Sequence, residues 1–85
     1  MRTSEVIQQA REVAAELTGR PVENVTGFER NGAGWVVTLE VLELERVPNT
    51  MDVIGSYEIT LSDKGQVKAF KRRRRYPRAA SEEND

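Results

Sequence analysis

The sequence predicts an α+β domain in which an N-terminal helix packs on a four-stranded antiparallel β-meander. Three observations lead there. Val6, Ile7, Ala10, Val13, Ala14 and Leu17 recur at three- and four-residue steps, the period of a helix, and Gly19 follows them. Trp35, Val37, Leu39 and Val41, and later Tyr57, Ile59 and Leu61, instead alternate with polar residues, the period of a strand. Asn31-Gly32 and Asp63-Lys64-Gly65 punctuate the second half as hairpin turns.

Taken in order, Thr3 or Ser4 is placed to cap the helix, and Glu5 in its first turn suits the positive end of the helix dipole. Gly19 supplies a left-handed stop and Pro21 prevents resumption. The apolar face is narrow and partly alanine, so the helix can approach a sheet closely, with Val6, Ala10, Val13 and Leu17 facing it. Val25 to Arg30 reads as the first strand, and Ala33-Gly34 lengthens the turn after Asn31-Gly32. In the second strand the phase flips: Leu42 and Leu44 are apolar where Glu43 and Glu45 are charged. Two readings fit, a β-bulge or an exposed apolar strip on the outer face, and the bulge is preferred because an exposed strip needs a partner.

Pro48-Asn49-Thr50 turns the chain, and Asn49 or Thr50 is positioned to cap a single helical turn reaching Ile54. Tyr57, Ile59 and Leu61 form the third strand, and Val67 to about Arg74 the last. The expected domain is residues 1–77, followed by a polar, disordered tail at 78–85.

Eighty-five residues make a single domain near the lower size limit for an unstapled core, burying about 60–65% of its unfolded surface. The chain has no cysteine and no histidine. That excludes disulfides, thiolate metal sites and the side chain best suited to proton transfer near neutral pH. The opening Arg2-Thr3-Ser4-Glu5 is polar and no apolar run approaches the 18 or so residues of a membrane span, so a cytoplasmic chain without membrane contact is expected. Residues 71–78 hold six of the thirteen basic residues and no acid, a local charge of +6. The other seven basic residues face all fourteen acids, leaving −7 on the rest. A basic tip on an acidic body favours oriented electrostatic contacts.

Glu40, Glu43 and Glu45 are the nearest approach to a carboxylate cluster. Paired carboxylates catalyse when burial separates their pKa values, but on an alternating strand Glu43 and Glu45 are expected to be solvated and paired with the basic last strand. No glycine-rich phosphate loop, metal-spaced ligand set or serine beside a base is present, so neither enzymatic activity nor a cofactor is expected. Arg72 to Arg75 with Tyr76 is the sharpest chemical feature: forked donors and a ring suited to phosphate or carboxylate. Strand alternation sends Arg73 and Arg75 to one face and Arg72 and Arg74 to the other. The guanidinium of Arg46 is placed to pin its turn by reaching Asp52 or Glu58, while Trp35 and Tyr57 read as core residues.

From Trp35 to Arg78 the residues follow a recognisable order: Glu45-Arg46-Val47-Pro48, Thr50, Asp52, Tyr57-Glu58, Gly65 and Arg75-Tyr76. That order resembles the gas vesicle protein O family, with its acidic-Arg-apolar-Pro turn, following Asp, Tyr-Glu pair, strand-end glycine and basic-Tyr close. The resemblance implies an accessory role in assembling the protein-shelled gas vesicle, or an influence on expression of vesicle genes. The family-like turn and the +6 segment together lead to the expectation of a non-catalytic adaptor that binds other vesicle proteins, either accessory factors or the shell subunit, through Arg46, Asp52, Arg72, Arg73, Arg74, Arg75 and Tyr76. The order of elements is also similar to the PepSY-type domain, which implies a regulatory or inhibitory binding module. A small nucleic-acid-binding regulator is the third class, and it needs a basic face where this chain offers a basic tip.

Overall fold

In the computed structural model, which describes residues 2–79, one helix lies on one face of a single antiparallel sheet. Helix α1 spans Thr3–Thr18, and the strands are β1 Val22–Asn31, β2 Gly34–Leu44, β3 Val53–Ser62 and β4 Val67–Pro77. Sheet order is β1-β2-β3-β4, so each strand pairs with its neighbour in sequence, as a meander does. The predicted α+β architecture is the one observed.

The helix starts one residue earlier than its sequence suggests. Arg2 is the N-cap and neither Thr3 nor Ser4 serves. The Glu5 carboxylate accepts a 2.9 Å hydrogen bond from the Arg2 N–H. The arginine side chain has no acceptor to return, so only half of a capping box is made. Gly19 closes the helix at φ 68°, donating its N–H to the Ala15 carbonyl.

Val6, Ala10 and Ala14 are fully buried, with Val13 packed beside them, on a sheet face built from Trp35, Val37, Leu39, Val41, Tyr57, Ile59 and Leu61. Leu17, expected in this interface, is 59% exposed. Position 17 shares the angular face of positions 6, 10 and 14, so its exposure follows from its place in the last turn of the helix. Two alanines along that row let the helix backbone come close to the strands.

The first strand begins three residues before its predicted start, because Val22 already pairs with Val41. The hairpin after it is tighter than expected. Asn31 pairs with Gly34, leaving Gly32 and Ala33 as the central residues, and only Gly32 has positive φ, the pattern of a type II′ turn. In the second strand the phase flip is a bulge: Leu42 pairs with Ile54 and Leu44 with Val53, leaving Glu43 as the extra residue. Further shifts lie at Glu23, Thr26, Lys68 and Arg73 on the two edge strands, β1 and β4. Bulges and charge on edge strands discourage pairing with another chain.

Between β2 and β3 the helical turn is one 3₁₀ turn, Asn49–Met51, shorter than the segment to Ile54 predicted from sequence. Pro48 is its N-cap and no side chain caps it. Ile54 is already in β3, where pairing with Leu42 and Tyr76 holds it in the sheet. The last strand runs to Pro77, three residues beyond its predicted end. Residues 80–85, where most of the predicted tail falls, lie outside the described residues.

Candidate functional site

Some of the polar side chains singled out from sequence are drawn into two clusters, one at Glu43 and one at Asp52. The first is organised by the bulge at Glu43. Its carboxylate accepts a hydrogen bond from the Tyr57 hydroxyl at 3.3 Å. It also lies 3.4 Å from Arg72 Nη2 and 3.8 Å from Arg75 Nε. The Glu43 side chain is 10% exposed, which corrects the expectation of a solvated carboxylate. Strand period is the physical reason: position 43 is in phase with Trp35, Val37, Leu39 and Val41, so its side chain stays on the helix side of the sheet, beside the end of α1, where Tyr57, Arg72 and Arg75 enclose it. Gly55 opposite is what makes room. A Cβ there would stand 2.5 Å from Glu43 Oε2 and 2.8 Å from the Tyr57 ring.

A second bulge, at Arg73, rearranges the basic run. Tyr57 pairs with Arg72, but Ser56 pairs with Arg74, so alternation is broken between them. Arg72 and Arg75 therefore converge on Glu43, whereas Arg73 and Lys71 each stand 3.7 Å from Glu58. The predicted grouping of Arg73 with Arg75 is corrected accordingly. Arg74 stacks over the Tyr76 ring at 4.6 Å. The Arg72 guanidinium is held above its ordinary pKa, first by its hydrogen bond with Tyr57 and then by the Glu43 charge. Tyr57 in turn stacks on Phe70, with centroids 5.1 Å apart.

The second cluster closes the turn before β3. Asp52 is 5% exposed. Its Oδ1 accepts a 2.7 Å hydrogen bond from the backbone N–H of Arg46, and its Oδ2 accepts one from Arg78 Nη2 at 3.2 Å. The guanidinium of Arg46 was expected to pin this turn; the main chain does so, leaving the Arg46 side chain exposed. The pinning guanidinium is that of Arg78, which also reaches Glu23 Oε2 at 2.6 Å, while its own N–H donates to the Asp52 carbonyl at 2.8 Å. Its pKa lies well above the usual arginine value: the Glu23 hydrogen bond raises it, burial works against that, and Asp52 adds to the rise. One side chain thus ties the end of β4 to the turn and to β1.

Of the seven residues selected from sequence, Arg46, Arg75 and Tyr76 line one open concavity beside the turn. Asp52 is buried under that turn, and Arg72 faces Glu43. Arg73 and Arg74 remain on the exposed edge strand. Glu23, Glu43 and Arg78 were not selected. Glu43 carried a signal, being the residue at which the apolar phase flips; Glu23 and Arg78 are 55 positions apart and carried none. Among the described residues no group of three or more acidic side chains is arranged to hold a metal ion, and no helix is long and apolar enough to cross a membrane.

The helix-backed meander thus has its polar groups locked together at one end, beside an open apolar concavity with guanidinium groups at its edge. The chain belongs to the family described as gas vesicle synthesis protein GvpO, which it matches over residues 1–82. It is 48% identical over 68 residues to gas vesicle protein O of a Streptomyces species, an overlap covering 80% of this chain and 53% of the relative. It is 40% identical over 75 residues to gas vesicle protein O1 of Halobacterium salinarum, covering 88% of this chain and 63% of the relative. It is 41% identical over 76 residues to gas vesicle protein O of Haloferax mediterranei, covering 88% and 54%. The chain thus spans between half and two thirds of the length of these relatives. No solved structure matches it.

Proposed function

We propose that the chain is a non-catalytic adaptor in gas vesicle assembly. It holds other vesicle proteins, accessory factors or the shell subunit, through the end of the sheet where Arg46 meets the 72–76 run. The family's description as a synthesis protein supports a role in making the vesicle. The observation that carries the adaptor reading is the division of labour among charges. Glu43 and Asp52 are occupied by internal donors, whereas the side chains of Arg46, Arg73 and Arg74 stand exposed around them. A carboxylate already engaged by two guanidinium groups and a phenol serves packing better than proton transfer, whereas exposed forked donors suit an acidic surface.

The test is complementation in a cell whose vesicles depend on this protein. Arg46→Ala and the pair Arg73→Ser with Arg74→Ser avoid the internal Glu43 cluster. Each should fold normally yet lower vesicle yield. Normal vesicles from both folded variants would overturn the adaptor surface, and loss of nucleic-acid binding with protein partners retained would replace it with a regulatory role.

A further inference from the structure

Beyond the Leu17–Arg20 end of the helix, the sheet continues through the pairing of Leu44 with Val53 and of Val53 with Pro77. There the strand ends and the turn enclose an open concavity of about 590 Å³ lined by Leu44, Val47, Met51, Val53, Tyr76 and Pro77. Val47 is fully exposed and Met51 is 52% exposed, so apolar surface is presented to solvent in a chain with little core to spare. The charge at its edge has one sign. Arg46 and Arg75 also line the concavity. Arg75 has only the 3.8 Å approach to Glu43, and the guanidinium of Arg46 makes no ion pair among the described residues. The acid of the turn, Asp52, is directed inward to Arg78, and Glu45, although exposed, is not part of the lining.

The geometry points to a docking groove for a short apolar protein segment flanked by carboxylates, its apolar side chains seated on Leu44, Met51, Val53 and Tyr76 and its acids on Arg46 and Arg75. Guanidinium donors engage carboxylates through paired hydrogen bonds, and a Met-, Tyr- and Arg-rich lining is the composition that anchors protein partners. This deepens the adaptor reading and rests on it, by naming the chemistry of the partner segment.

The test uses the whole chain, isotope-labelled for NMR, and two synthetic amphipathic peptides with identical leucine faces, one flanked by glutamate and one by lysine. The glutamate peptide should shift resonances at residues 44–53 and 75–77, with the lysine peptide binding much more weakly. Val47→Asp or Met51→Asp, each checked by circular dichroism, should weaken binding about tenfold or more. Arg46→Glu should reverse the preference between peptides. Equal binding of both peptides, or shifts confined to Lys71, Arg73 and Arg74, would overturn the groove. So would a concentration-dependent dimer abolished by Val47→Asp, which would give the groove to a second copy of this chain. A chain that restores vesicles but binds neither peptide removes the groove and leaves the accessory role standing. A chain that binds the glutamate peptide but is dispensable for vesicles supports the groove and removes that role.

Discussion

Arg78 stands on Asp52 where Arg46 was expected to stand: its Nη2 lies 3.2 Å from the buried carboxylate, and Arg46 contributes only its backbone N–H. Two residues 26 positions apart therefore hold the turn: Asp52 is a carboxylate expected there, but its guanidinium comes from Arg78 and not from Arg46. Removing the Arg78 side chain leaves a nearly buried carboxylate with one donor fewer. Arg78→Ala should cost about 1–3 kcal/mol in urea unfolding, the range for a buried polar group that loses a partner. Arg46→Ala, which keeps the backbone donor, should stay within about 0.5 kcal/mol of the parent. Equal effects from the two would mean that the Arg46 side chain carries the turn after all.

The space beside Glu43 gives a coupling test. Gly55→Ala should destabilise by about 1–3 kcal/mol, because its Cβ meets the carboxylate and the Tyr57 ring. In a Glu43→Ala background the penalty should shrink without vanishing, since the ring remains. Purely additive effects would show that the two positions do not share the space.

Core and periphery of the helix interface should separate cleanly. Leu39 is fully buried between sheet and helix, so Leu39→Ala should cost about 2–5 kcal/mol, a large part of a small domain's stability. Leu17→Ala, at an exposed position, should change stability by about 0.5 kcal/mol or less. A large loss at Leu17 would require a helix seated differently on the sheet.

The charges of the edge strand should matter for association and little for folding. Arg73→Ser with Arg74→Ser removes only exposed groups and should shift stability by about 1 kcal/mol or less. Binding that relies on these groups should weaken as salt rises, because screening shortens to about 8 Å at physiological ionic strength. Binding insensitive to salt would assign recognition to the apolar lining alone.

Local pattern was enough to read one helix ended by Gly19, four strands in meander order, the Val6–Ala10 contact with the sheet, and the bulge in β2. Each of these follows from periodicity or from a turn residue whose backbone preference acts at short range. The phase flip at Leu42–Leu44 marked the bulge because side chains must change faces where the ladder gains a residue. The basic run was legible as charge, yet its grouping was not. The Arg73 bulge lies in a segment of uniform residue type, so no alternation existed to reveal it. Only the assembled sheet decided that Glu43 would be shielded between Arg72, Arg75 and Tyr57, and that Asp52 would take its guanidinium from Arg78. Those contacts depend on register and on the path of β4 back to the turn and to β1. Such cross-strand relationships are settled by the packing of the whole chain, which no window of neighbouring residues contains.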